Sequence, residues 1–422
     1  MTSGRAHDDA PGDRAWAYRN FRILLLGQAV SSLGNTLVPV CLSFAVLALT
    51  HRASDLGAVL GCEAGAIVVF LLPAGVLADR WSRRATMVAS DALRGTSQAA
   101  LGLLFVTGHP PLGLVAALAA ASGAGIALYY PAVSGLVPSL VGPGALQRAN
   151  ALQQTVVAAA GVAGPALAGV LVVGVGPGWG LVVDAGTFGV SILTLVALRL
   201  EAPPSAGSGR FAAELREGWA DFWSRAWFRD VVIGASVYNF LYAGYTVLGP
   251  VVSERHYGGA AAWAAAATVT GVGSVVSAPL VARMRPRRPL VVALGVGGLE
   301  ALVALAFGAH LPLAVVAVAA GVQGVSVLVF ESLWQTAIQR HVPADRLSRA
   351  SSYDWFGSLV AYPVGLAVAG PIADAVGAGR TLVAMGILML LLSAGLVSLR
   401  SVRGLRDEPD AADADAVASP AA

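Results

Sequence analysis

Five ionisable side chains, Glu63, Asp91, Arg94, Glu300 and Glu331, stand inside long apolar stretches of the sequence. An ionisable group at the centre of a helix in hydrocarbon costs about 2.5–3.5 kcal/mol, so each is expected to have a partner or a use. Burial favours the neutral form of a carboxyl group, which suits a side chain that takes up and releases a proton. Asp91 and Arg94 are three residues apart and are placed to neutralise each other on one helix. Glu63 and Glu331 have no such partner in sequence; with Asp91 and Arg94 they are the candidates for proton coupling. Asp184 and Asp374 fall nearer the ends of apolar runs, where water reaches them.

Two polar stripes suggest a binding cavity. Gln28, Ser31, Ser32 and Asn35 fall near one face of the first apolar run, and Tyr238, Tyr242 and Tyr245 align on the seventh with Asn239 beside them. Aromatic rings with a few amides suit a bulky amphipathic ligand; the same groups also serve as packing contacts between helices. Gln28, Asn35, Tyr238, Asn239 and Tyr242 are the cavity candidates. Other chemistries find no support. The glycine-rich segment 174–180 follows no strand and contains Pro177, so it is not a nucleotide cradle, and there is no P-loop. The six histidines are scattered without metal-ligand spacing. Cys41 and Cys62 lie in apolar runs and read as small core residues, neither a disulfide nor a metal site. No catalytic constellation, cofactor or metal is expected.

Composition says what must position these residues. The chain of 422 residues is 56% hydrophobic and 12% charged, against roughly 25% charged in soluble domains. A single soluble core stops growing near ~250–300 residues and cannot hide so much apolar surface. Lipid can. A spanning helix needs ~20 apolar residues, and twelve runs of suitable length occur: 21–50, 55–78, 85–107, 111–136, 155–174, 181–199, 230–252, 260–282, 289–309, 312–338, 355–376 and 380–400. The first 20 residues hold no apolar segment of a signal peptide, so the first run is expected to direct insertion. All 27 basic residues are arginine. With the N-terminus inside, 23 of them fall on the cytoplasmic side and three outside (Arg52, Arg255 and Arg380), leaving Arg94 within a run. Both termini are therefore expected in the cytoplasm. The small net charge of +3 gives no sign of nucleic-acid binding.

The sequence also repeats. Leu146-Gln-Arg-Ala-Asn150 recurs as Leu347-Ser-Arg-Ala-Ser351, and Gly164-Pro-Ala-Leu-Ala-Gly169 as Gly365-Leu-Ala-Val-Ala-Gly370, both at an offset of 201. Val76–Arg84 has a weaker echo in Leu280–Arg288. Two parallel repeats of six helices are a transporter architecture with the ligand bound between the halves. The expected organisation is a cytoplasmic tail at 1–20, a six-helix bundle at 21–200, a linker with an amphipathic helix at 201–228, a second bundle at 229–402, and a disordered acidic tail at 403–422.

Gly75-Val-Leu-Ala-Asp-Arg-Trp-Ser-Arg-Arg84 bridges the second and third runs and resembles the G-x-L-x-D-R-x-x-R-R signature of the major facilitator superfamily, with Ser82 in place of the usual glycine. Tyr130–Pro138, Leu146–Asn150, Trp334–Pro343 and Ser352–Trp355 resemble helix junctions of bacterial exporters of the macrolide-efflux and enterobactin-exporter type. The fourth run lacks the arginine of the drug/proton antiporter pattern, and Ala168 stands where that pattern has a glycine. The resemblance implies an all-α fold of twelve transmembrane helices in two pseudo-symmetric bundles, with the first and seventh helices lining the cavity. It implies gating by Gly75, Asp79, Arg80, Arg83 and Arg84, Asp79 docking near Asp354 at the start of the eleventh helix. The implied function is secondary export of small amphipathic molecules (a drug, antibiotic or siderophore-like metabolite) by alternating access, driven by protons, from a monomer in the bacterial cytoplasmic membrane. The alternatives are an importer or facilitator of the same fold and, more remotely, a membrane enzyme or receptor.

The topology is testable. Ser82→Cys and Ser208→Cys should resist membrane-impermeant thiol reagents in whole cells while Gly108→Cys reacts; labelling of Ser208→Cys from outside would reverse the orientation.

Overall fold

The computed structural model describes residues 16, 18–80, 82–142, 145–198, 222–343 and 346–406; most of the expected linker helix, of the N-terminal tail and of the acidic tail lies outside them. All the regular structure among the described residues is helical. The first six long segments are α1 (Arg19–Thr50), α2 (Ala53–Arg80), α3 (Arg83–Thr107), α4 (Leu112–Leu140), α5 (Leu146–Gly174) and α6 (Pro177–Ala197). The second six begin with α7 (Ala226–His256) and α8 (Ala260–Val281). The ninth span consists of α9 (Pro289–Gly297), one 3₁₀ turn over Gly298–Glu300, and α10 (Ala301–Gly308). The tenth is α11 (Leu313–His341), the eleventh is α12 (Leu347–Leu359) followed by α13 (Tyr362–Val376), and the twelfth is α14 (Ala378–Ser398).

Eleven of these twelve segments are long and apolar enough to cross a membrane. The exception is α3, which has the length but turns Asp91, Arg94, Ser97 and Gln98 into the bundle. Elsewhere the pattern is inverted relative to a water-soluble protein. Leu193 and Val276 are more than 70% exposed, while Asp91 and Asp184 are completely buried. The apolar runs underestimate several helices: α5 starts at Leu146 and the eleventh span at Leu347, each ahead of the hydrophobic stretch it contains. Hydropathy marks the length that needs lipid, whereas backbone hydrogen bonding continues into the polar border.

Short connections are set by local chemistry. Ser82 caps α3, its hydroxyl accepting from the Ala85 N–H at 3.1 Å. The glycine-rich segment 174–180 is not a loop throughout: α6 already starts at Pro177, whose fixed φ suits the first helical position, after Gly176 at φ 98°. Gly377 takes the same left-handed form (φ 95°) between α13 and α14, 201 residues later.

The repeat seen in sequence is a repeat in space. A β-carbon on Gly102 of α3 would sit 2.9 Å from the carbonyl oxygen of Gly178 on α6; one on Gly308 of α10 would sit 2.7 Å from that of Gly379 on α14. Gly164 approaches α1 at Thr36, and Gly365 approaches α7 at Phe240. Lipid supplies no hydrophobic force between helices, so such close backbone contact is how they associate.

The two sets of six meet through α2 against α13 and α5 against α8. A β-carbon on Gly57 would overlap the Leu366 carbonyl oxygen, one on Gly61 would come within 3.4 Å of that of Pro363, and one on Gly169 would lie 2.7 Å from the Ala264 methyl. These contacts lie toward the end of the molecule where α1 turns into α2. There a single apolar core joins both sets, from Leu37–Leu47 and Leu56–Ala64 to Val247–Val252 and Leu366–Ala373. At the opposite end the cores are separate, one around Phe21, Met87 and Leu136 in the first set and one around Phe228, Leu290 and Trp334 in the second.

Gly57→Val should preserve helical content but wedge α2 from α13, since overpacking costs about 1–3 kcal/mol. Spin labels at Arg52→Cys and Val376→Cys, with both native cysteines replaced, should show a longer distance in that variant; an unchanged distance would mean the contact does not hold this end closed.

Candidate functional site

In the first six helices the ionisable residues converge on one guanidinium. The Arg94 side chain donates from Nη2 to Asn35 Oδ1 of α1 and stacks over the Phe188 ring of α6, its Cζ 4.4 Å from the centroid. The arginine acts electrostatically on three carboxylates: Glu63 of α2, Asp91 of its own helix and Asp184 of α6. The expected Asp91–Arg94 ion pair does not form; no contact within 4.0 Å joins them. Each finds a nearer partner on a neighbouring helix, Asp91 Oδ2 accepting from Ser191 Oγ at 2.6 Å. Asp184, expected to be hydrated near a helix end, is fully buried, and Thr187 Oγ1 donates to its carbonyl at 2.7 Å. Ser122 of α4 serves the Glu63 carboxylate. Asp91 Oδ1, Asp184 Oδ2, Arg94 Nε and Gln98 Oε1 are buried without a hydrogen-bond partner. Burying polar atoms this way is costly in hydrocarbon.

Glu63 also stands at the joint between the halves. Its backbone carbonyl faces Gly123 of α4, which has no side chain to hold α2 away. Its carboxylate acts electrostatically on Tyr362, the first residue of α13. Two residues before it, Gly61 approaches Pro363.

The second set of helices encloses a cavity of about 360 Å³ between α7, the ninth span, α11, α12 and α14. Tyr238, Asn239 and Tyr242 line it, as the alignment on the seventh run suggests. Asn239 donates to the Ser358 carbonyl at 3.0 Å, and the Tyr242 hydroxyl accepts from Gln323 at 3.2 Å. Tyr245 turns elsewhere, packing against Trp263 and Phe307. Glu331 lies on the cavity wall, exposed, and accepts from Gln335 at 3.0 Å. It is thus apart from the other three coupling candidates. Glu300 and Asp354 also reach this cavity; Trp334 donates to both oxygens of Asp354 at 3.1 Å.

Other sequence candidates are placed differently. Gln28 joins helices within the first set, donating to Tyr129 and accepting from Gln153. Asn35 belongs to the arginine cluster. Arg84 donates to the Val196 and Leu198 carbonyls at 2.9 and 3.1 Å, capping the end of α6, and Arg83 is exposed. Gly75, Asp79 and Arg80 fall in α2, but their side chains lie outside what is described. Cys41 is buried as expected; Cys62 is exposed, because its face of α2 looks away from the core. Asp184 is the residue that sequence reasoning missed, although Asp184, Thr187, Ser191 and Thr194 recur at helical spacing and would have revealed a polar stripe.

A profile of the Major Facilitator Superfamily matches residues 24–358. The multidrug efflux pump Tap of Mycolicibacterium fortuitum is 28% identical, over 91% of this chain and 96% of the relative. The enterobactin exporter EntS of Salmonella typhi is 25% identical, over 93% and 95%. Among solved structures, a POT family transporter in complex with 5-aminolevulinic acid aligns with a TM-score of 0.72 at 12% identity, over 90% of this chain and 95% of that one. A bacterial homolog of the human lysosomal transporter Spinster, inward-facing and occupied, aligns at 0.70 and 17%, over 93% and 99%. These two show a common fold. Its helical architecture, its internal repeat and the profile match place this chain in one family: it belongs to the Major Facilitator Superfamily, multi-pass membrane transporters of small molecules.

Proposed function

We propose that the chain is a secondary exporter of small amphipathic molecules, working by alternating access and coupled to protons. The observation that carries this reading is the placement of Glu63. On one helix, α2, a carboxylate enters a charged cluster while Gly61 and Gly57, two and six residues before it, make the contact that closes the halves. A proton gained or lost at Glu63 changes the charge of the cluster at the joint that must open. Three carboxylates against one guanidinium reach neutrality by taking up two protons, so the cluster has capacity for ion coupling without a metal. Full-length similarity to an efflux pump and a siderophore exporter supports the outward direction.

The arginine distribution supports placing both termini in the cytoplasm of a bacterial cell, with the chain in its plasma membrane. In that orientation the joined core faces outward and the separated cores face the cytoplasm, which is the arrangement that admits a ligand from inside. Gly75, Asp79, Arg80, Arg83 and Arg84 then lie at the cytoplasmic border, where the gating role implied by their motif would hold that side closed in the alternate state. The similarity to exporters gives no role as an enzyme.

Proteoliposomes with an imposed pH gradient test this reading, using ethidium and Nile red as amphipathic probes. The wild type should accumulate at least one of them against its gradient. Glu63→Gln should abolish that accumulation while exchange down a probe gradient survives and loses its pH dependence. Equal loss of exchange, accumulation and melting temperature would instead make Glu63 structural, and accumulation with normal pH dependence would place coupling at another group. Asp79→Asn should keep membrane abundance but lower transport ~10-fold, as a gate shifted by about 1.4 kcal/mol would.

A further inference from the structure

The cavity of the second six helices has a chemical bias that its size alone does not explain. At about 360 Å³ it falls within the range of small-ligand pockets, ~300–1,000 Å³. Three carboxylates reach its wall from three different spans, Glu300 from the ninth, Glu331 from the tenth and Asp354 from the eleventh, and among the described residues no arginine or histidine lines it. The carboxylates surround the space instead of converging. Among the described residues no three His, Cys, Asp or Glu side chains are grouped to hold a metal ion. Between the acids stand the aromatic side chains of Tyr238, Phe330, Trp334 and Trp355. Phe330 and Trp334 are stacked at 6.5 Å, with planes 13° apart, and Trp334 stacks in turn on Phe228 at 5.6 Å, so an ordered column of rings forms one side of the cavity. Aromatic faces attract cations through their quadrupole, most strongly where water is excluded.

A second observation points to the same space. Two spans in the second set are continuous but depart locally from regular α-helix. The ninth tightens into a 3₁₀ turn at Gly298–Glu300, and the eleventh loosens between Leu359 and Tyr362. Glu300 lies in the first irregular turn, and Ser358 and Leu359 immediately precede the second; all three line the cavity. A short 3₁₀ or loosened turn within a long helix often marks a functional position, and such irregular backbone is tolerated in a span where it is buried in protein or borders a cavity.

We propose that this cavity binds an organic cation, an ammonium, amidinium or phosphonium centre carried on an apolar or aromatic body. Glu300 and Asp354 hold the charge, Glu331 receives it at the exposed wall, and the stacked Phe330–Trp334 wall takes the apolar body. This deepens the transport reading by naming the charge class of its ligand, and it rests on that reading for the ligand's passage, though not for its binding.

Equilibrium dialysis of purified protein in detergent, with empty micelles subtracted, would compare tetraphenylphosphonium with tetraphenylborate, which share shape and differ in sign. The phosphonium should bind once per chain and the borate should not. Glu300→Gln and Asp354→Asn should each weaken phosphonium binding ~10-fold or more, which is about 1.4 kcal/mol. Glu331→Gln, at an exposed site where folding is not at risk, should weaken it severalfold, and it decides the matter if the buried variants do not fold. Equal binding of the two probes would overturn the proposal, as would wild-type phosphonium affinity in Glu331→Gln and in every folded variant. Transport of Nile red by a protein that ignores phosphonium would overturn the cation assignment and leave export standing. Phosphonium binding in a protein that moves no probe would support the assignment and remove the export reading.

Discussion

One guanidinium, that of Arg94, faces three carboxylates, of which Asp91 and Asp184 are fully buried and Glu63 is half-buried. The helices of the first half are arranged around that imbalance. α1 supplies Asn35 to the arginine, α4 supplies Ser122 to Glu63, and α6 supplies Ser191 to Asp91 and an aromatic face to the guanidinium. No single helix could satisfy these groups, so the charged cluster ties four neighbours to α3. α2 is the member that packs most extensively against the other half, through α13, so the cluster lies close to where the halves meet.

The second half keeps the same skeleton with different contents. Gly102 against Gly178 has its counterpart in Gly308 against Gly379, and the Gly123 approach to Glu63 has its counterpart in Gly324 against Thr270. Where the first half carries a carboxylate, the second carries a hydroxyl that donates to Gln323 at 3.1 Å. The repeat thus preserves backbone crossings, which are fixed by the absence of side chains, and frees the polar residues to diverge. The arginine–carboxylate cluster lies in one half and an aromatic, acidic cavity in the other.

The helices were legible in sequence because hydrocarbon demands long apolar runs, and the repeat was legible because glycine crossings leave a fixed spacing. Partners were less so. Asp91 and Arg94 share a helix face by their spacing, but Ser191 and Asn35 reach them from other helices, and no periodicity within α3 encodes that. Asp184 was misplaced because distance from the end of an apolar run measures depth in the membrane and not burial within protein. Glu331 looked equivalent to Glu63 in one dimension; the fold puts it on an exposed cavity wall. The 3₁₀ turn in the ninth span had a weak signal in Gly295, Gly297 and Gly298, a cluster that reads equally as close packing until its neighbours are placed.

The composition of α3 bears on how the protein is made. At a helix centre Asp91 and Arg94 together cost roughly 5–7 kcal/mol on translocon scales, against a gain of about 0.3–0.6 kcal/mol for each strongly apolar residue. Alone, α3 would favour the aqueous channel of the insertion machinery over the lipid. Its cost falls when Asn35 and Ser191 reach Arg94 and Asp91, and Ser191 is synthesised about a hundred residues after Asp91. The third helix thus depends for its place in the bilayer on a partner made three helices later, and its polar groups are fully met only once α6 has been synthesised.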